Sequence, residues 1–84
     1  HIRLAFIPNF FRKQCKIVYD FEAPLAGNVS IEITNLLGQK IDEIAVKEKS
    51  GTMLYRFPVN DSGVFFYRLL NESKPLLSGK IVVY

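Results

Sequence analysis

Residues 60–73 read NDSGVFFYRLLNES: an apolar run from Val64 to Leu70, interrupted only by Arg68, between two groups of turn-forming residues. Seven residues are too few for a typical helix, and the run is rich in the aromatic and β-branched types that favour strands. Phe65, Tyr67 and Leu69 would lie on one face of a strand, and Val64, Phe66 and Leu70 on the other. Apolar character on both faces predicts an inner strand, covered on each side or wrapped by a neighbouring segment. Left bare, such a segment would template aggregation.

The same grammar extends in both directions. Turn signals recur at Pro8-Asn9, Pro24 to Asn28, Asn35 to Gly38, Ser50-Gly51, Asn60 to Gly63 and Asn71 to Pro75. The short segments between them have the spacing of an all-β sandwich or barrel. Alternation supports this. Cys15, Ile17, Tyr19 and Phe21 share one face of their segment, Val29, Ile31 and Ile33 one face of the next, and Met53, Tyr55, Phe57 and Val59 one face of another. The pattern predicts seven strands, at about 2–7, 14–22, 28–34, 39–48, 52–59, 64–71 and 76–83. Ile41 is out of step with Ile44 and Val46, which predicts a β-bulge near Asp42-Glu43. Asn35-Leu-Leu-Gly38 reads as a type I turn joining strands three and four, with Gly38 at positive φ. Pro58 cannot donate a ladder hydrogen bond and places its strand at an edge, as does chain position for the last strand. The expected core holds Ile17, Tyr19, Ile31, Ile33, Phe57, Phe65, Tyr67 and Ile81.

Eighty-four residues make a single domain, which buries about 60–65% of the surface its unfolded chain exposes. With 49% hydrophobic and 13% aromatic residues, the chain has enough apolar matter for one core and too much for disorder. No apolar run approaches the roughly 20 residues of a membrane-spanning helix. No signal-peptide pattern opens the chain, so export information is expected in a preceding segment or in the domain itself. The net charge of +3 is scattered, and its densest group, Arg12, Lys13 and Lys16, lacks the interleaved aromatics of a nucleic-acid surface. No nucleic-acid partner is expected.

Chemistry is sparse. Cys15 is the single cysteine and His1, read as a residual tag, the single histidine, so neither a disulfide framework nor a zinc site is expected. Cys15 sits on an apolar face and reads as a small core residue; Lys16 could activate the thiol only if it were exposed. No serine has an imidazole base apart from His1, and the carboxylates fall on wet faces or turns. No catalytic, cofactor-binding or metal-binding set is expected. Asn28, Asn60 and Asn71 each fit the glycan acceptor pattern, but asparagine and serine are also ordinary turn residues. Phe10 and Phe11, after Pro8-Asn9, either offer contacts or cap one end of the sandwich.

Taken in order, the segments "FIPNFF", "KIVYDF", "APLAGNVSIEITNLLGQKI", "YRFPV", "SGVFFYRLL" and "LLSGKIVV" resemble the C-terminal sorting domain of proteins exported by the type IX secretion system of Bacteroidetes-type bacteria. The resemblance spans residues 6 to 84. Phe10 stands where the family usually has a second proline, and Tyr84 where it often ends on a basic residue. The resemblance implies a seven-stranded antiparallel Ig-like or fibronectin-like sandwich at the end of a larger secreted protein. It also implies a function: an address that takes a fused N-terminal cargo through the periplasm and across the outer membrane to the cell surface. Its partners would be the secretion machinery and a surface sortase-like protease that removes the domain. The recognition candidates it singles out are Pro8, Asn9 and Phe10 of the first loop, Gly38, Gly63, Tyr67, Gly79 and Lys80. Lys80 is either a contact or a charge that guards the last strand from aggregation. A non-catalytic Ig-like module binding carbohydrate or protein, or a spacer, would suit the same fold. A binding module should show an aromatic cluster on a wet face, which the patterning does not supply.

Overall fold

The computed structural model describes all residues, His1–Tyr84. Eight strands form: β1 (Arg3–Ile7), β2 (Phe10–Phe11), β3 (Gln14–Asp20), β4 (Val29–Thr34), β5 (Lys40–Val46), β6 (Ser50–Arg56), β7 (Gly63–Asn71) and β8 (Lys74–Val83). They make a three-stranded sheet, β1-β3-β6, and a five-stranded sheet, β2-β8-β7-β4-β5. Sixteen buried residues drawn from both sheets and their connections make one apolar cluster, and no polar or charged residue is buried. Two sheets enclosing one core is the sandwich that period-two alternation demands, because each strand has an apolar face to hide.

Alternation sets the register. Cys15, Ile17 and Tyr19 are buried on β3 while Gln14 and Lys16 are exposed, and Val29, Ile31 and Ile33 are buried on β4. β7 lies between β8 and β4, as the opening stretch predicts. Its inner face buries Phe65 and Leu69, and Tyr67 is half-buried. Its outer face is not covered as expected: Leu70 is buried, but Val64 is half-exposed and Phe66 is 39% exposed. Nothing is layered over this sheet, so the apolar outer row meets solvent.

The eighth strand is a correction with a simple cause. The segment following β1 was expected to be a loop. Instead the chain leaves the three-stranded sheet after Ile7, and Phe10–Phe11 pairs with Val82–Val83 in the other sheet. That pairing is parallel, the one departure from an otherwise antiparallel fold. The Ile7–Pro8 peptide is cis. Other differences are local. The β4–β5 register shifts so that Ile33 faces Asp42 while Thr34 faces Lys40. The bulged residue is therefore Ile41, just before the expected place; the bulge lets Ile41 pack on the core while Lys40 turns to Glu43 on the surface, Nζ to Oε1 2.8 Å. β6 lies at a sheet edge as expected but ends at Arg56, so Pro58 follows the strand, and Val59 is 40% exposed rather than inward.

The Asn35–Gly38 turn forms as read. The Gly38 N–H donates to the Asn35 carbonyl at 3.0 Å, and the Asn35 side-chain oxygen accepts from the N–H groups of Leu37 and Gln39, each at 2.9 Å. Gly38 has φ +81°, and a Cβ there would meet nothing within 4 Å. Gly38→Val should therefore cost about 1–2 kcal/mol through backbone strain alone. Gly38→Asn should recover much of it, since asparagine tolerates this region. An unchanged denaturation midpoint for the valine variant would refute the assignment.

Candidate functional site

The recognition candidates separate by position. β2 lies against the end of β8: the Val82 N–H donates to the Asn9 carbonyl at 2.9 Å and the Tyr84 N–H to the Phe11 carbonyl at 3.0 Å. Gly63 opens β7 opposite Val83. Asn9, Phe10 and Gly63 thus meet at one end of the five-stranded sheet, with Pro8 beside Asn9 in the chain. Lys80 lies three pairs further in, opposite Phe66. The Gly38 turn belongs to the same end, since residues 35–37 and 60–65 line one shallow cleft of about 510 Å³.

Cross-strand pairing explains what this end displays. Phe10 faces Val82 and Val82 faces Val64, all with side chains on the outer face of the sheet; Lys80 and Phe66 form the next row on that face. Phe10 is 57% exposed and Tyr84 is 59% exposed, with ring centroids 6.3 Å apart. The Arg12 guanidinium lies 5.5 Å from the Tyr84 ring centroid, within cation–π range. Leu36 and Leu37, at the tip of the Asn35 turn, are largely exposed. An apolar wet-face patch therefore exists that strand patterning did not supply. Its members come from four separate segments, so no single window of sequence shows it. The signal that could have been found is Leu36-Leu37, two leucines at the centre of a turn that has no core to face.

Phe11 does not join the patch. It is 3% exposed and packs edge-on against Phe57, at 6.2 Å between ring centroids. The pair was expected to act alike; strand alternation instead sends Phe10 out and Phe11 in.

Tyr67 and Gly79 are directly opposed on β7 and β8, and a Cβ on Gly79 would overlap the Tyr67 phenol. The ring lies across the glycine and against Phe6, with ring centroids 4.5 Å apart. Tyr19 and Gly51 repeat the arrangement between β3 and β6. Tyr67 and Gly79 thus hold β7 and β8 together and do not face out with Lys80.

The polar groups of the interior are engaged. The Tyr55 hydroxyl donates to Asp42 Oδ2 at 2.9 Å, linking β6 to β5 across the open side of the sandwich. Burial first, then this hydrogen bond, holds the phenol above its ordinary titration range. Cys15 is buried, and burial pushes its thiol up to about 11. A thiol so held is a poor nucleophile at neutral pH, in keeping with a packing role. Asn71 lies at the end of β7, and its side-chain amide donates to the Ala26 carbonyl at 2.6 Å, a structural bond a glycan on that nitrogen would disrupt. No three His, Cys, Asp or Glu side chains converge.

Comparison with known proteins agrees with this architecture. The chain superposes on an immunoglobulin-like protein from Pseudomonas aeruginosa with a TM-score of 0.55, at 12% identity, covering 100% of this chain and 92% of that one. At that identity the likeness concerns the fold. No curated protein matches. The sequence matches the family described as the secretion system C-terminal sorting domain over residues 6–84. With an Ig-like sandwich beneath a match of that extent, the chain belongs to the secretion system C-terminal sorting domains and is a sorting signal of type IX secretion.

Proposed function

We propose that residues 1–84 act as one non-catalytic address at the C-terminal end of a larger secreted protein. The secretion machinery reads the address after the fused N-terminal cargo has reached the periplasm. The cargo crosses the outer membrane to the cell surface, where a sortase-like protease removes the domain. The reading surface is the end of the sheet that carries Pro8, Asn9, Phe10, Gly63 and Lys80. Gly38 shapes the neighbouring turn, and Tyr67 with Gly79 braces the strands beneath.

The observation that supports this surface most is the concentration of exposed apolar side chains there: Phe10, Leu36, Leu37, Phe66 and Tyr84. Solvent alone gives no reason to gather them, and a receptor does. Lys80 adds a cation that takes part in none of the three ion pairs of the protein.

The test is a reporter carrying a signal peptide and ending in this domain, expressed in a bacterium with a working type IX system. The reporter should reach the surface. Lys80→Ala should lower export while leaving the melting temperature nearly unchanged, because exposed substitutions shift stability by no more than about 0.5 kcal/mol. Persistent export of that variant with increased aggregation would make Lys80 an edge guard. A wild-type fusion that stays folded in the periplasm would overturn the reading.

A further inference from the structure

The Ser78-Gly79-Lys80 segment has an open backbone edge. β2 covers the β8 edge only at Val82–Val83, and at the other end the β7–β8 register shifts so that Leu76 bulges beside Pro75. A bulge and a proline both discourage pairing. Between them lies an uncovered stretch, residues 77–81. Its polarity follows from strand geometry. The N–H groups of Val82 and Tyr84 point to the β2 side, so those of Ser78 and Lys80, in step with them, point the same way and find no strand there.

Beside this edge runs an apolar groove of about 740 Å³. It separates β8 from β1, the outer strand of the other sheet, and is lined by Ile2, Leu4, Ile7, Tyr67 and Leu77 among others. An unpaired strand edge alongside an apolar trough fits an added strand, which supplies backbone hydrogen bonds and sends alternate side chains into the trough. The outer face at this edge carries Lys80, and Lys74 lies further along β8; neither forms an ion pair.

We propose that this slot takes an extended strand of the secretion machinery. The strand pairs with the backbone of Ser78 and Lys80, turns apolar side chains into the groove and presents acidic side chains outward, toward Lys80. The proposal rests on the sorting reading and names the chemistry of the partner. It also accounts for the composition of the segment. Gly79 keeps the inner side of β8 clear for the Tyr67 ring, Ser78 is small on the outer side, and Lys80 selects the charge of the incoming strand.

The test uses the isotope-labelled 84-residue domain and two capped octapeptides, one alternating valine with glutamate and one alternating valine with lysine. The glutamate peptide should slow amide exchange at Ser78 and Lys80 by at least about tenfold. The Leu77, Gly79 and Ile81 amides, already facing β7, should change little. The lysine peptide should bind at least about tenfold more weakly, and Lys80→Glu should reverse the preference. In the reporter assay Ser78→Pro, which removes an edge donor without touching the β7 ladder, should abolish export. Lys80→Glu should lower export with the fold intact, so the result does not depend on the proline variant folding. Three results would each overturn the proposal: no protection at Ser78 and Lys80 with peptide on the order of 1 mM, equal binding of both peptides, or protection of the same amides by self-association without peptide. If any of these occurs while the wild-type fusion is still exported, the sorting function stands and only the slot is wrong.

Discussion

Replacing Phe65 by alanine is expected to cost about 3–5 kcal/mol, the range for emptying a well-packed phenylalanine site. Phe65 is 4% exposed near the start of β7, opposite Ile81 on β8. Its ring meets Phe57 edge-on with centroids 4.8 Å apart, and Phe57 meets Phe11 in turn. These three buried rings, from three separate segments, pack together at the end of the core where β2 joins the second sheet. A domain of this size has a total stability of roughly 4–13 kcal/mol, so the variant loses a large share of it. The melting temperature should fall by more than about 12 °C. Phe66→Ala, one residue along, is the control. It removes an equal side chain from the outer face and should cost under about 1 kcal/mol. Equal losses at the two positions would mean that β7 is not placed as described.

The second large effect is expected at Gly79. Gly79→Ala adds one carbon where the Tyr67 phenol lies, and Phe6 behind the ring limits its retreat. Overpacking of this kind costs about 1–3 kcal/mol. In a Tyr67→Ala background the same change should be neutral or stabilising, because alanine restricts the unfolded chain more than glycine does. The two substitutions should therefore couple by more than about 1 kcal/mol in a double-mutant cycle. Additive effects would show that the ring does not lie across the glycine. The corresponding pair, Tyr19 and Gly51, is less tight, with the phenol oxygen 3.0 Å from an added Cβ, so Gly51→Ala should cost less. The cycle also bears on function. If Tyr67 and Gly79 brace the strands, variants at these positions should lose export in proportion to lost stability, whereas Lys80→Ala should lose export alone.

Local patterning determined much of this protein. Alternation in Gln14–Asp20 and Val29–Thr34 assigned the buried faces of β3 and β4, because side-chain direction in a strand reverses at every residue whatever the partner. The turn at Asn35 was legible because an asparagine side chain and a glycine at positive φ act within four residues. The phase slip around Ile41 announced a bulge, though only pairing with β4 set its place. The ordered motifs carried the family across residues 6–84. Tertiary structure decided the rest, and in each case the cause is contact between segments distant in sequence. Phe10–Phe11 is a strand only because the end of β8 lies beside it, and that pairing sends Phe11 inward and Phe10 outward. The exposed residues Phe10, Leu36, Phe66 and Tyr84 come from two strands, a turn and the C-terminal residue. Tyr67 and Gly79 look like separate motif letters until their cross-strand pairing shows that the ring needs the missing side chain. The open edge at Ser78 and Lys80 is a property of what does not pair with β8, and a strand's vacant side is set by the whole sheet around it.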